Sequence, residues 1–409
     1  MRKTAISFLV LFVTAGAQSP LGLHLPAGMP VQSVTGLSSS MSGSGTGVKD
    51  ENMGINLNPA NMAMPNRSAF SSLISYDLLQ IKEKSTSSTT GHYSPRMLSL
   101  ILPAGSAGNI AFSLEKRNDA AIDFLNKDVN IDNENAYRAN YIGITRNGGL
   151  TSFQGGWGYS IKNGPSFGIL YERLYFNLSS SSIFGSEISD ILDSSEYEHE
   201  YTFSEDTEMS YSSNGVRMGM LVPIGKLSVG LSGEYIFYTE GDLKRTYQNL
   251  DSTENSSSDF YVHLPPSLSA GIGYRPDSKW LLAADLHATL WERYRTELGL
   301  ARPLRRAYRV SAGARFIPAP NKLAAEYWET VQYRAGVRYN QLPFDDAQEY
   351  AISLGAGLPI ANDDGLIDVI FEFGKRSDSR FPDYSENIIR MQLGINGGRD
   401  WFRKNESNY

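Results

Sequence analysis

The sequence predicts an all-β fold, a transmembrane antiparallel β-barrel of about fourteen strands with its N-terminal segment inside as a plug. Three observations predict it. The chain opens on a secretory signal. From Arg67 onward, apolar and polar residues alternate with period two, as in strands whose two faces meet different surroundings. Between these segments, short Pro/Gly turns alternate with longer polar loops, the punctuation of an outer-membrane barrel.

Arg2 and Lys3 precede an apolar run from Ile6 to Val13, and Ala15-Gly16-Ala17 supplies a small-residue cleavage site. The mature protein is expected to start near Gln18. The run falls short of the roughly 20 apolar residues that a spanning helix needs. No later run approaches that length, so a soluble secreted protein and a barrel remain. Mean hydropathy of -0.30 does not separate them, because every second residue of a porin-type barrel faces a polar lumen. A length of 409 residues alone suggests two or three domains, but one closed sheet can use the whole chain. Net charge is -7, which gives no reason to expect a nucleic-acid partner. The absence of cysteine excludes disulfides, thiolate chemistry, Cys-based metal sites and a lipoprotein anchor.

Gln18 to Pro65 lacks periodicity and is rich in Gly, Ser, Met and Asn, including Ser42-Gly43-Ser44-Gly45-Thr46-Gly47. It reads as irregular backbone with a short helix near Asn58. The expected division is a signal peptide over 1–17, a hatch over 18–65, the barrel over 66–402 and a polar tail over 403–409.

The C-terminal strands are the clearest. Val310, Ala312, Ala314 and Phe316 alternate with Arg309, Ser311, Gly313 and Arg315. Tyr350, Ile352, Leu354 and Ala356 alternate with Ala351, Ser353 and Gly355. Short turns are expected at 103–105, 163–165, 223–225, 276–277, 318–320 and 359–361. Longer loops are expected at about 83–94, 118–140, 178–208, 241–262, 291–306, 342–346 and 377–386. Trp157, Tyr159, Tyr171, Tyr175, Tyr235, Tyr274, Trp291, Tyr333, Tyr339, Tyr350 and Trp401 fall near strand ends. That placement suits an aromatic girdle at the headgroups and argues against a soluble sandwich.

Two stretches resemble the FadL-like outer-membrane transporters of hydrophobic compounds, and especially a PorV-like branch. One is Gly43-Ser44-Gly45-Thr46-Gly47-Val48 followed by Asn58-Pro59-Ala60. The other comprises Tyr333 to Tyr339, Pro343-Phe344, Gly355 to Pro359 and Trp401 to Lys404. The chain departs from the family pattern at Lys49-Asp50-Glu51-Asn52. The resemblance implies a fourteen-stranded barrel with an N-terminal hatch, in which Asn58, Pro59 and Ala60 anchor or gate the hatch. On residues alone, Asn58-Pro59-Ala60 is a helix cap or turn.

A search for catalytic sets returns ordinary structure, so no enzyme is expected and no cofactor or metal. Gly164-Pro165-Ser166-Phe167-Gly168 matches a nucleophile elbow in letters, but sits between two strands rather than before a helix. Asp128, Asn130, Asp132 and Glu134 open like a calcium loop, yet the sixth position is Asn133 and the twelfth Ala139. Alternation places Arg217, Glu234, Asp285, Arg309, Arg315, Arg334, Arg338, Asp368, Glu372 and Arg390 on the lumen side. Buried charges need partners, so ion-pair ladders are expected; the functional alternative is that some of these charges line a substrate path. Leu170, Leu174, Phe176 and Ile236 are candidates for an apolar pocket or for packing against the hatch. In the acidic loop from Ser182 to Met209, Ile183, Phe184, Ile188, Ile191 and Leu192 have helical spacing and suggest a short helix at the outer mouth.

The expected localisation is the cell outer membrane. The leading functional expectation is passive uptake of a small hydrophobic molecule of the fatty-acid or aromatic-hydrocarbon type. Its partners would then be outer-membrane lipid and that ligand. The alternative is a PorV-like interaction protein serving a secretion or surface-attachment system, with secretion-system proteins as partners.

Overall fold

In the computed structural model, residues 19–25, 27–84, 86–133, 136–190, 201–249, 251–298, 303–320, 325–344, 346–360 and 365–399 are described. The expected signal peptide, Trp401 and the polar tail lie outside them. The chain forms a closed antiparallel barrel of fourteen wall strands. We number them β1 (Ser68–Glu83), β2 (Thr86–Pro103), β3 (Asn109–Asp119, continued by Ile122–Asn133), β4 (Ala136–Ser160), β5 (Ser166–Asp190), β6 (Tyr201–Ile224) and β7 (Leu227–Ile236, continued by Thr239–Gln248). The remainder are β8 (Thr253–His263, continued by Ser267–Tyr274), β9 (Trp280–Thr289, continued by Arg295–Thr296), β10 (Ala307–Phe316), β11 (Gln332–Gln341), β12 (Ala347–Ile360), β13 (Gly365–Asp378) and β14 (Tyr384–Arg399). Strand β14 pairs with β1 from Tyr384↔Glu83 to Arg399↔Ser68, which removes both sheet edges.

Period-two alternation is what makes this wall possible. In β12, Tyr350, Ile352 and Leu354 are more than half exposed, while Ala351 and Ser353 are buried. The outer face is therefore apolar where the inner face is small or polar, as a lipid-embedded barrel requires. No described helix is long and apolar enough to cross a membrane; the crossing is made by strands. Taking the short connections as periplasmic, the exposed aromatics form two bands. Trp157, Tyr159, Tyr274, Trp280 and Tyr333 lie near the periplasmic ends, and Tyr171, Tyr175, Tyr235 and Tyr350 nearer the outer side. Trp291 departs from the expected girdle. It is 6% exposed and packs inward over the mouth with Tyr294.

The expected long loops at 83–94, 118–140, 178–208 and 241–262 need correction. Most of their described residues are strand. Strand β2 starts at Thr86, β3 and β4 pair out to Asn133↔Ala136, and β7 pairs with β8 out to Gln248↔Thr253. The expected helix at 183–192 is also strand as far as Asp190, and Ile191 and Leu192 lie outside the described residues. Polarity misled: beyond the membrane the outer face meets water, so these strands lack the apolar outward side chains that mark the wall, although Leu178, Leu243 and Phe260 still point inward and are buried. A strand crosses the apolar core in about 9–11 residues, whereas β4 and β5 have 25 each and β6 has 24. Strands β3 to β8 therefore continue as a tall sheet beyond the outer rim. Breaks mark where it begins: Ala120-Ala121 in β3, Phe237-Tyr238 in β7, and Leu264-Pro265-Pro266 in β8, where proline cannot donate to the ladder. At the same level Gly148 and Gly149 take φ of +121° and +144°, backbone that only glycine adopts readily.

A further correction concerns 318–320. It opens a long connection, Ile317 to Val331, that carries a short helix at Tyr327–Thr330. Gly164-Pro165 is a tight turn between β4 and β5, with Asn163 at φ +56°, so Ser166 is a strand residue and no nucleophile elbow exists. Of the calcium-loop letters, Asp128, Asn130, Asp132, Asn133 and Ala139 are on strand in β3 and β4, and Glu134 lies outside the described residues.

Candidate functional site: the filled lumen

Ser19 to Pro65 runs inside the wall. It starts at the outer end, where Ser19 Oγ donates to Glu386, and the 3-10 helix Pro20–His24 follows. Met29–Pro30 then pairs with Asp119 and Asn118 beside the break in β3, and Val31 N donates to Arg117 O at 2.8 Å. The helix Gly36–Ser40 packs on β11 to β14. Ser42 N donates to Ser353 Oγ at 2.8 Å, which in turn donates to Ser40 O at 2.9 Å. The segment closes its circuit at the periplasmic end. There Asn58 Nδ2 donates to Met220 O at 3.0 Å and to Thr46 O at 2.8 Å, and Asn58 Oδ1 caps Ala60 N at 3.0 Å, opening the 3-10 helix Pro59–Ala63. The segment thus reaches from the outer mouth to the periplasmic end.

The glycine-rich motif has a steric cause. A Cβ on Gly47 would lie 2.3 Å from Gly271 O, and one on Gly230 would lie 1.9 Å from Thr46 O. Backbone touches backbone, which requires glycine on both sides. This approach aims the amides of Gly45 and Thr46 at Asp285 Oδ2, each at 2.8 Å. Backbone donors thus meet a carboxylate that would otherwise be buried without a partner.

The lumen-facing charges are joined in chains. One alternates Arg96–Asp77–Arg390–Glu372–Arg338–Glu349–Arg376–Glu386 across six strands. Four arginines balance four acids, and Arg338 grips Glu372 with two hydrogen bonds of 2.8 and 2.9 Å while holding Gln32 of the segment at 2.7 Å. A second cluster joins Arg117 and Arg217 to Glu115, Glu172 and Glu234 at 2.6–3.4 Å, and Arg217 also donates to Asn56 O at 2.6 Å. Arg334 pairs with Asp368 at 2.6 Å, both fully buried. Asp50 binds Arg315 at 2.9 Å and Arg275 at 2.6 Å, tying the segment to β10 and β8. Sequence reasoning missed Asp77, Arg96, Arg117, Glu349, Arg376 and Glu386. The signal was there for most of them, as opposite charges recurring at inward positions of neighbouring strands. It shows only once the register is known.

The four apolar candidates pack as core. Leu170 lies with Ile55, Met62 and Ile101. Leu174, Phe176 and Ile236 join Leu21, Leu25 and Met29 in a cluster that also holds Leu178, Tyr211, Phe260, Trp291, Leu342 and Phe344. This cluster packs across the lumen at its outer end. Below it lies a cavity of about 190 Å³. Leu150, Ile236, Leu264 and Trp291 give it an apolar side; Arg217, Glu234, His287 and Arg309 give it a polar one. His287 is held by Ser269 at 2.7 Å and Thr289 at 3.1 Å. Among the described residues, Arg309 has no ion pair or hydrogen bond.

A closed wall, an apolar outer belt and a lumen crossed by an N-terminal segment define an outer-membrane β-barrel with a FadL-like fold. The BamG family model matches residues 2–408, and the chain belongs to that family. Solved structures share the fold. A FadL homologue of Pseudomonas aeruginosa superimposes with a TM-score of 0.63 at 12% identity, over 91% of this chain and 100% of that one. The toluene transporter TodX of Pseudomonas putida gives 0.59 at 13% identity, over 89% and 98%. The monoaromatic hydrocarbon channel CymD gives 0.57 at 16% identity, over 90% and 98%. No curated protein matches by sequence.

Proposed function

We propose that this barrel is a sealed outer-membrane interaction protein that presents its tall outer sheet to an exported or membrane-embedded protein, as in a secretion or surface-attachment system. One observation carries this reading. On the sheet beyond the outer rim, Phe184, Phe203 and Tyr247 form a row across β5, β6 and β7, with ring centroids 6.3 and 6.1 Å apart. Phe184 and Phe203 stay about 40% exposed. Aromatic rings left open to water on a paired, twisted sheet mark contact surface. The lumen agrees, since its apolar side chains pack the N-terminal segment and its charges lock that segment in place. The test is purification of native complexes from gently solubilised membranes. The Phe184→Ser/Phe203→Ser variant should assemble normally and lose its co-purifying protein. An intact complex in that variant would refute the proposal.

The cavity favours a second reading, uptake of a small molecule with an apolar body and a polar end. An apolar body in that cavity would gain roughly 25 cal/mol per Å² of area removed from water. Two proteins of similar fold, the monoaromatic hydrocarbon channel CymD and the toluene transporter TodX, favour the same reading. Ile236→Trp fills the cavity from its apolar side and should abolish uptake of labelled aromatic compounds. Equal uptake in cells with and without the gene would remove this reading.

A further inference from the structure

The outer surface of the wall carries one cation whose setting differs from the rest of the apolar belt. Arg173 alternates outward from β5, between Tyr171 and Tyr175, which are 53% and 50% exposed. Its guanidinium donates to Asn214 Oδ1 at 2.9 Å and Ser212 Oγ at 2.6 Å on β6, and lies 5.6 Å from the Tyr175 ring centroid. Tyr171 OH donates to the same Asn214 oxygen at 2.6 Å. The neighbours thus hold the fork in place, but all are neutral. Among the described residues no carboxylate pairs with it. An arginine on the lipid face costs about 2–4 kcal/mol at the bilayer midplane and close to nothing at the interface. This one therefore belongs at the outer headgroup level, where the aromatic band places it.

Toward the periplasm from Ser212 and Asn214, the same wall is grooved. Gly233 and Ala270 form part of its floor, and Met218, Leu231, Leu268 and Leu286 stand beside it. The groove has a volume of about 620 Å³ and is almost entirely apolar. A Cβ on Gly233 would lie 3.2 Å from Leu268 Cδ2, so a larger side chain there crowds the groove. Met218 is four residues along β6 from Asn214, about 13 Å at strand rise, a separation suited to a lipid headgroup and its upper acyl chain.

We propose that Arg173, with Ser212, Asn214 and Tyr171 holding it, binds the phosphate of an outer-leaflet lipid whose acyl chain lies in the groove over Gly233 and Ala270. The charge match selects the occupant. A guanidinium presents a planar pair of donors suited to phosphate oxygens, and the medium around the groove is acyl chain. The site lies on the outside of the wall and is independent of whether the lumen conducts or the outer sheet binds protein.

The experiment uses the full chain in detergent, stripped of lipid and titrated with a diphosphoryl lipid A, its dephosphorylated analogue, and inorganic phosphate, with binding read by native mass spectrometry. The phosphorylated lipid should bind at least tenfold more tightly than the dephosphorylated one. Arg173→Gln should erase that difference while the barrel keeps its heat-modifiable migration. Gly233→Leu, which fills the groove without touching the guanidinium, should weaken binding of both lipids. Equal binding of phosphorylated and dephosphorylated lipid by the native protein would overturn the proposal. So would retained phosphate preference in Arg173→Gln. Inorganic phosphate binding as well as the lipid would also overturn it, as a free-anion site.

Discussion

Glu372 accepts from Arg338 through two oxygens and also from Arg390, in a lumen where it is 2% exposed. Removing its charge breaks the chain at its middle, leaving Arg338 to Glu349 and Arg390 to Asp77. Glu372→Gln should destabilise the barrel by about 2–3 kcal/mol, the range for weakened hydrogen bonds to buried charged groups. Denaturant unfolding in detergent would measure it, and a loss below about 1 kcal/mol would show that water or a neighbour replaces the carboxylate. The lipid face responds to the opposite chemistry. Leu354 is half exposed on the outside of β12, so Leu354→Arg should cost about 2–4 kcal/mol and slow assembly. Assembly at the native rate would place that residue away from the bilayer midplane. Gly47 has no room at all, and Gly47→Val should loosen the N-terminal segment, read as new protease cleavage between residues 19 and 65.

At the scale of elements, the N-terminal segment and the wall depend on each other. The helix Gly36–Ser40 is only five residues long and could not persist alone. It is held by Ser353, Gln392 and the close approach of Gly36 to Asp368. The one-residue step from Leu354 to Ser353 therefore exchanges lipid for a packed interior. Periodicity alone suggests that arginine at 353 would be harmless in a polar lumen. The structure predicts the reverse, because Ser353 is fully buried against Ser40 and Ser42. Ser353→Arg should push the helix off the wall and raise conductance in planar bilayers while the barrel still assembles. Deleting residues 19–60 should raise it further. A deletion variant that conducts no more than the native protein would show that this segment is not the barrier.

For the whole molecule, the wall is low over β10 and β11, with 10 residues each, and tall over β4 to β6. The tall side leans its apolar inner face, Leu178, Tyr211, Leu243 and Phe260, over the mouth. Replacing 180–207 with a two-residue Asn-Gly turn keeps the Ser179↔Glu208 pair as the new hairpin end. The shortened barrel should reach the outer membrane in native amounts and lose the co-purifying partner. A complex that survives the shortening would place the contact elsewhere on the molecule.

Alternation of side chains is a local property, and so the sequence determined what alternation controls: fourteen wall strands, their lipid and lumen faces, and an N-terminal segment unlike either. Asn58-Pro59-Ala60 was legible as a capped helical turn for the same reason, since a cap needs only its neighbours. Partnership is not local. Arg338 and Glu372 are 34 residues apart in sequence, and Asp285 meets Gly45 across 240, so no spacing rule could join them before the register was set. Polar segments outside the membrane lack the apolar outward side chains that the lipid medium imposes, and read as loops although they are paired strand. Leu174 and Phe176 look the same in sequence whether they line an empty pocket or pack on Leu21 and Leu25. Only the path of the N-terminal segment through the closed wall decided between the two, because a cavity exists or vanishes with what fills it.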